Sequence, residues 1–141
     1  MTSSDNKDTV KLAIALAQLN PHLGNVKSPT EKLIAAHAKA ANLGADILIT
    51  PEMYLAGYPC DDLVYRSDFM AEIEAALTEI ATYTTNDMPA IIVGAPRRQD
   101  KVLYNALFVL DEGRICHQYD KINLPNYGVF DDKRNFEAGR G

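Results

Sequence analysis

Two side chains in this sequence carry opposite charges at places where a fold can aim them. Glu52 lies in Pro51-Glu52-Met53 at the end of a short apolar run. Lys121 lies in Tyr119-Asp120-Lys121, ahead of Asn123-Leu124-Pro125-Asn126-Tyr127-Gly128-Val129-Phe130. A positioned carboxylate can take a proton from a weak acid, and an ammonium can stabilise an oxygen on which negative charge builds. Held together in a partly dry pocket, each keeps the other charged. On position alone, Glu52 has an ordinary alternative as a solvated loop glutamate or helix-cap acid, and Lys121 as a surface charge.

The elements that must position them follow from periodicity. Val10 to Leu19 alternates small and large apolar residues with almost no charge, which predicts a strand buried on both faces in the middle of a sheet. After a turn around Pro21 to Gly24, Ser28-Pro29-Thr30-Glu31 supplies a helix start, with a hydroxyl cap and a proline at the first helical position. Leu33, Ala36, His37, Ala40 and Ala41 share one face of a helix of about four turns, and Gly44 offers its left-handed stop. Asp46 to Thr50 is a strand ended by Pro51, which completes a strand-helix-strand crossover. Ser67 and Asp68 start a second helix, with Phe69, Ile73, Ala76, Leu77 and Ile80 on one face and Glu72, Glu74 and Glu79 pointing away. Pro89 to Val93 predicts a buried strand ended by Gly94. Val102 to Leu110 and Arg114 to Tyr119 predict two strands joined by a tight turn at Asp111-Glu112-Gly113. No repeat or linker divides the chain. Strand ends of such a sheet are where functional groups gather, and Glu52 is at one of them.

Pro51-Glu52 after an apolar strand, and Asp120-Lys121 after a hairpin, resemble the glutamate and lysine motifs of the nitrilase, or carbon-nitrogen hydrolase, superfamily. Each motif is weak alone; the two in this order and on these elements are a strong joint signal. The segments Leu55-Ala56-Gly57-Tyr58-Pro59-Cys60-Asp61-Asp62-Leu63 and Leu124 to Phe136 are more narrowly similar to the glutaminase domain of glutamine-dependent NAD synthetases. That likeness runs from about Val10 to Gly139.

The resemblance implies an α/β fold, a two-layer half of a nitrilase-like four-layer α-β-β-α sandwich. Residues 1–141 would form one carbon-nitrogen hydrolase domain, incomplete at its carboxyl end. It implies L-glutamine as substrate, with ammonia passed to a missing carboxyl-terminal synthetase domain that uses ATP and magnesium to amidate deamido-NAD. No cofactor is expected in this chain, and assembly as a homo-oligomer is implied. By the same resemblance Glu52 is the general base and Lys121 stabilises the oxyanion, while Tyr127, Phe130 and Tyr58 bind substrate. The family's nucleophile is a cysteine further along than Gly141, so this stretch alone is expected to be inactive. Cys60 falls in a matched loop where the family has no nucleophile, and Cys116 lies inside a hairpin strand. The pair Asp131-Asp132 stands where close relatives often have an aspartate then a glutamate, a departure from the family pattern, and no role is assigned to it. Two other readings remain open at this point, a stand-alone amidase acting on ureido acids or short amides and a non-catalytic interaction module.

Composition narrows the field independently. A chain of 141 residues that is 47% hydrophobic can bury a core and is too apolar for a disordered segment. A net charge of -5 with both signs interspersed offers no basic stripe for nucleic acid. The polar, acidic stretch Met1 to Asp8 reads as neither a signal nor a transit peptide, and no run approaches the roughly 20 apolar residues of a membrane span. A cytoplasmic protein with two reduced thiols and no membrane partner is the expectation.

Overall fold

The computed structural model describes residues 9–21, 23–126 and 132–141. Its elements are β1 (Ile14–Leu16), α1 (Lys27–Asn42), β2 (Ile47–Ile49), α2 (Ser67–Ala81), β3 (Ala90–Gln99), β4 (Val102–Asp111) and β5 (Arg114–Asp120). Short 3-10 turns lie at Asp61–Tyr65, Thr82–Thr84 and Asp132–Arg134. The five strands form one sheet in chain order. β1, β2 and β3 pair in parallel, and β3, β4 and β5 are antiparallel. Crossover thus gives way to hairpin along the chain, as the pattern predicts.

Because side chains alternate across a strand, the register sorts the sheet into two faces. Leu48, Ile91, Val93, Ala95, Ala106, Phe108 and Leu110 are buried on one of them, in a single apolar cluster with Leu33 and Ala40 of α1 and with Phe69, Ile73, Leu77 and Ile80 of α2. The predicted faces of both helices are the buried ones. His37, on that face of α1, bonds through Nε2 to the Pro89 carbonyl at 2.7 Å and so ties the helix to the start of β3. The opposite face of the sheet, carrying Ile14, Leu16, Leu107 and Tyr119, is exposed.

Three sequence expectations are corrected. β1 is an edge strand of three residues rather than a central one. Its alanines explain the misreading: Ala15 and Ala17 turn to the helix side, which sends Ile14 and Leu16 to the open face, and a run that is apolar throughout looks alike whether one side is covered or both. Pairing ends quickly because Pro51 closes β2 after Ile49. α1 also begins before the predicted Ser28 cap. It starts at Lys27, with the Asn25 side chain accepting the Ser28 N–H at 3.1 Å. Its predicted end stands, with Gly44 at φ +79° and the Gly44 and Ala45 N–H groups returning to the Ala41 and Ala40 carbonyls.

Finally, β3 does not stop at Gly94 but continues to Gln99. The Gly94 N–H and C=O both point toward the β2 side, to the Thr50 hydroxyl and the Leu55 N–H. Two residues on, Pro96 faces that same side beyond the end of β2, so its missing donor breaks no ladder bond with β4.

The two faces differ energetically. Truncating Ile91, fully buried, to Ala removes packing and leaves a cavity that costs about 2–5 kcal/mol. Leu16→Ala on the open face changes stability by less than about 0.5 kcal/mol. Urea unfolding of the two variants checks the difference, and equal losses would contradict the two-face description.

Candidate active site

Glu52 leaves the sheet on a turn whose neighbours are buried. Met53, Tyr54, Leu55 and Ala56 have no exposed surface, while the Glu52 side chain is 47% exposed. Two contacts hold the turn. The Leu55 N–H donates to the Gly94 carbonyl at 3.2 Å, and the Tyr54 hydroxyl donates to the Pro29 carbonyl at 2.8 Å. Burial pushes the Tyr54 phenol up to about 12, so it stays a donor. Met53 takes a left-handed φ of 52°, and its turn packs flush on β3 at Gly94. A Cβ at Gly94 would lie 2.6 Å from the Met53 nitrogen and 2.8 Å from the Pro51 carbonyl oxygen. Only glycine allows that approach.

Lys121 follows β5. Its N–H donates to the Asn105 carbonyl at 2.8 Å, and its own carbonyl accepts the Gly139 N–H at 2.9 Å. The preceding Asp120 is gripped bidentately by Arg97, at 2.8 and 2.6 Å, and the guanidinium lies 4.7 Å over the Tyr104 ring. The strand end is therefore fixed from both sides.

These two anchors bring Glu52 and Lys121 together. Lys121 Nζ donates to Glu52 Oε1 at 2.6 Å and to Asp132 Oδ2 at 2.9 Å. Asn105 Nδ2 donates to the same Glu52 Oε1 at 2.6 Å. Asp132, with no side-chain exposure, also accepts the Tyr58 hydroxyl at 2.5 Å. A buried carboxylate is tolerable when it is paired and hydrogen-bonded in this way. Burial works against the Lys121 charge, but the bonds to Glu52 and Asp132 outweigh it and hold the ammonium above the ordinary lysine value. Burial, and then the bond to Asp132, likewise raise Tyr58.

Beside the pair opens a cleft of about 310 Å³ on the open face of the sheet. Glu52, Lys121 and Asn105 border it, and Ile49, Ile92, Leu107 and Tyr119 supply apolar wall. The size falls at the small end of ligand sites, roughly 300–1,000 Å³.

The sequence-predicted residues fare differently. Glu52 and Lys121 meet. Tyr58 reaches the cluster only through Asp132, and it does not border the cleft. Tyr127 and Phe130 lie outside the described residues. Asp132, to which the sequence assigned no role, is a direct partner of Lys121. The helical turn Asp132–Arg134 buries its side chain, so an aspartate suffices to reach the ammonium. Asn105 was missed, although a lone amide in the apolar run of β4 was the available signal. Neither thiol borders the cleft. Burial pushes Cys60 up to about 12, and Cys116 donates to the Asp111 carbonyl at 3.4 Å.

The sequence model of the carbon-nitrogen hydrolase family matches residues 13–140, nearly the whole chain. The chain belongs to the carbon-nitrogen hydrolase family. Among its relatives is the glutamine-dependent NAD(+) synthetase of Thermotoga maritima, 41% identical over 129 residues that make up 92% of this chain and 22% of that protein. The Xanthomonas campestris enzyme of the same name is 42% identical over 128 residues, 90% of this chain and 23% of its own. The chain thus spans under a quarter of the length of the curated relatives it matches. Among solved structures, the glutamine-dependent NAD+ synthetase of Acinetobacter baumannii in complex with ADP superposes with a TM-score of 0.84 at 34% identity, covering 91% of this chain and 24% of that one. A mutant of the amidase from Nesterenkonia sp. AN1 gives 0.77 at 23% identity, covering 93% and 51%, and shows the shared fold. The α/β expectation is met by this family's architecture.

A lysine raised by its partners contributes stability below its unfolded-state value, and that contribution disappears as pH climbs through the folded one. Compared with Lys121→Met, the chain should hold a near-constant margin in melting temperature between about pH 6 and about pH 10, which narrows above the ordinary lysine value of 10.5. Melting curves against pH measure this, and a margin independent of pH would contradict the shared ammonium.

Proposed function

We propose that this chain supplies the base and the oxyanion-stabilising lysine of a glutamine-hydrolysing, ammonia-supplying domain in a glutamine-dependent NAD synthetase. The observation that carries the reading is the 2.6 Å contact between Lys121 Nζ and Glu52 Oε1 at the rim of a small, largely apolar cleft. The relatives' names support glutamine as nitrogen donor.

Amide hydrolysis by this pair runs in two halves. Glu52 takes the proton of a thiol as sulfur attacks the carboxamide carbon, and the carbonyl oxygen gains the charge. Lys121 has three N–H donors, two of which are engaged by Glu52 and Asp132, which leaves the third for that oxygen. Glu52 then returns the proton to the departing nitrogen, ammonia leaves, and water releases glutamate from the thioester. The apolar walls lower the local dielectric and strengthen both charges' effects.

Neither Cys60 nor Cys116 borders the cleft, which supports a nucleophile supplied by a cysteine outside these 141 residues. The amidase neighbour has an active-site cysteine, which fits a thiol of that kind. Tyr127 and Phe130, which lie outside the described residues, are assigned to substrate binding by the family resemblance alone, while Tyr58 donates to Asp132 and steadies it. ATP and magnesium belong to the synthetase domain of the intact enzyme. Among the described residues no group of three or more His, Cys, Asp or Glu is placed to hold a metal ion, and no step here runs through one. Among those residues, too, no helix is long and apolar enough to cross a membrane. A cytoplasmic enzyme assembled through copies of this domain completes the reading.

Ammonia release from glutamine by the intact protein carrying this domain tests it. Glu52→Gln should lower kcat by about 10²–10⁴-fold and Lys121→Met by about 10²–10³-fold. The 141-residue chain alone should release none. Turnover by that chain, abolished by Glu52→Gln, would overturn the placement of the nucleophile.

A further inference from the structure

Glu52 presents two oxygens, and the described residues treat them unequally. Oε1 accepts from Lys121 Nζ and from Asn105 Nδ2, each at 2.6 Å, whereas no described residue hydrogen-bonds Oε2. We infer that Asn105 is a positioning residue that divides the labour of the carboxylate, holding Oε1 as a fixed acceptor and leaving Oε2 as the atom that takes and returns the proton.

The inference rests on the amide-hydrolysis reading for its chemistry, but its geometry stands separately. Asn105 is 3% exposed on β4, one strand away from β5, so its amide has little freedom to turn. Only its NH₂ can face a carboxylate oxygen productively, since its own oxygen would set acceptor against acceptor. Its backbone carbonyl takes the Lys121 N–H at 2.8 Å. One residue therefore registers the acid through its side chain and the ammonium through its main chain. A carboxylate whose Oε1 is saturated by two donors cannot rotate to exchange oxygens without losing both bonds, so the free oxygen keeps one direction.

The groups that bear on Glu52 from the surrounding elements are Lys121 after β5, Asp132 in its 3-10 turn behind the lysine, and Tyr58 beyond Asp132. All three remain in an Asn105 variant, so a change in proton uptake reports the amide.

The experiment is a carbon-13 NMR titration of the Glu52 carboxyl in the full chain, with Glu52→Gln to assign the signal. Losing a donor to the charged form should move proton uptake to higher pH in Asn105→Ala, and a charged carboxylate facing the first should move it the same way in Asn105→Asp. Asn105→Asp keeps the side-chain shape, so the comparison survives if the alanine variant does not fold. A midpoint unmoved in the variants that fold overturns the inference. Glutamine turnover by the intact protein is scored apart. A displaced midpoint with no turnover in the parent protein supports the Asn105 assignment and removes the amide reading, and turnover with an unmoved midpoint does the reverse.

Discussion

An ammonium shared between two carboxylates is the contact around which this site is organised. Lys121 reaches Glu52 and Asp132 at once, and these three residues come from the end of β2, the end of β5 and a short turn near the carboxyl end of the chain. Unpaired, the buried Asp132 carboxylate would cost several kcal/mol, and the lysine would lose charge to burial. Together they are mutually satisfied, and one donor of the lysine and one oxygen of Glu52 remain for work. A cluster fully paired within itself would be structural only.

The scaffold answers to that contact. Flush packing of the Pro51-Glu52-Met53 turn on Gly94 sets where the acid leaves the sheet, and the Arg97 grip on Asp120 sets where the amine does. Both anchors sit on β3, the strand that belongs to the parallel half on one side and the antiparallel half on the other. A change in β3 therefore moves both partners. The cleft lies on the sheet face that the helices leave uncovered, and apolar residues around it remain exposed within these 141 residues.

Much of this was legible in the sequence where a local rule decided the outcome. Helical periodicity placed the buried faces of α1 and α2, and proline after an apolar run placed Glu52 at a strand end. In the hairpin turn Gly113 has the positive φ that a glycine there suggests, whereas the positive φ of Glu112 is not suggested by its residue type. The failures share a cause, since each depends on what lies across space from a residue. Whether β1 is covered on one face or two, whether Gly94 ends a strand or receives a turn, and what Asn105 and Asp132 touch are all settled by distant segments. Asn105 and Glu52 are 53 positions apart, and Tyr58 and Asp132 are 74 apart. Pairings at that separation leave little local trace beyond a polar residue in an apolar run.

The central claim is that Glu52 and Lys121 act as one unit in amide hydrolysis. A double-mutant cycle on ammonia release from glutamine, in the intact protein carrying this domain, addresses it most directly. Residues that work as a unit are non-additive, so Glu52→Gln combined with Lys121→Met should be no slower than the slower single variant. Losses that multiply would mean that the two groups act independently, and the shared ammonium would then be a feature of the fold rather than of the chemistry.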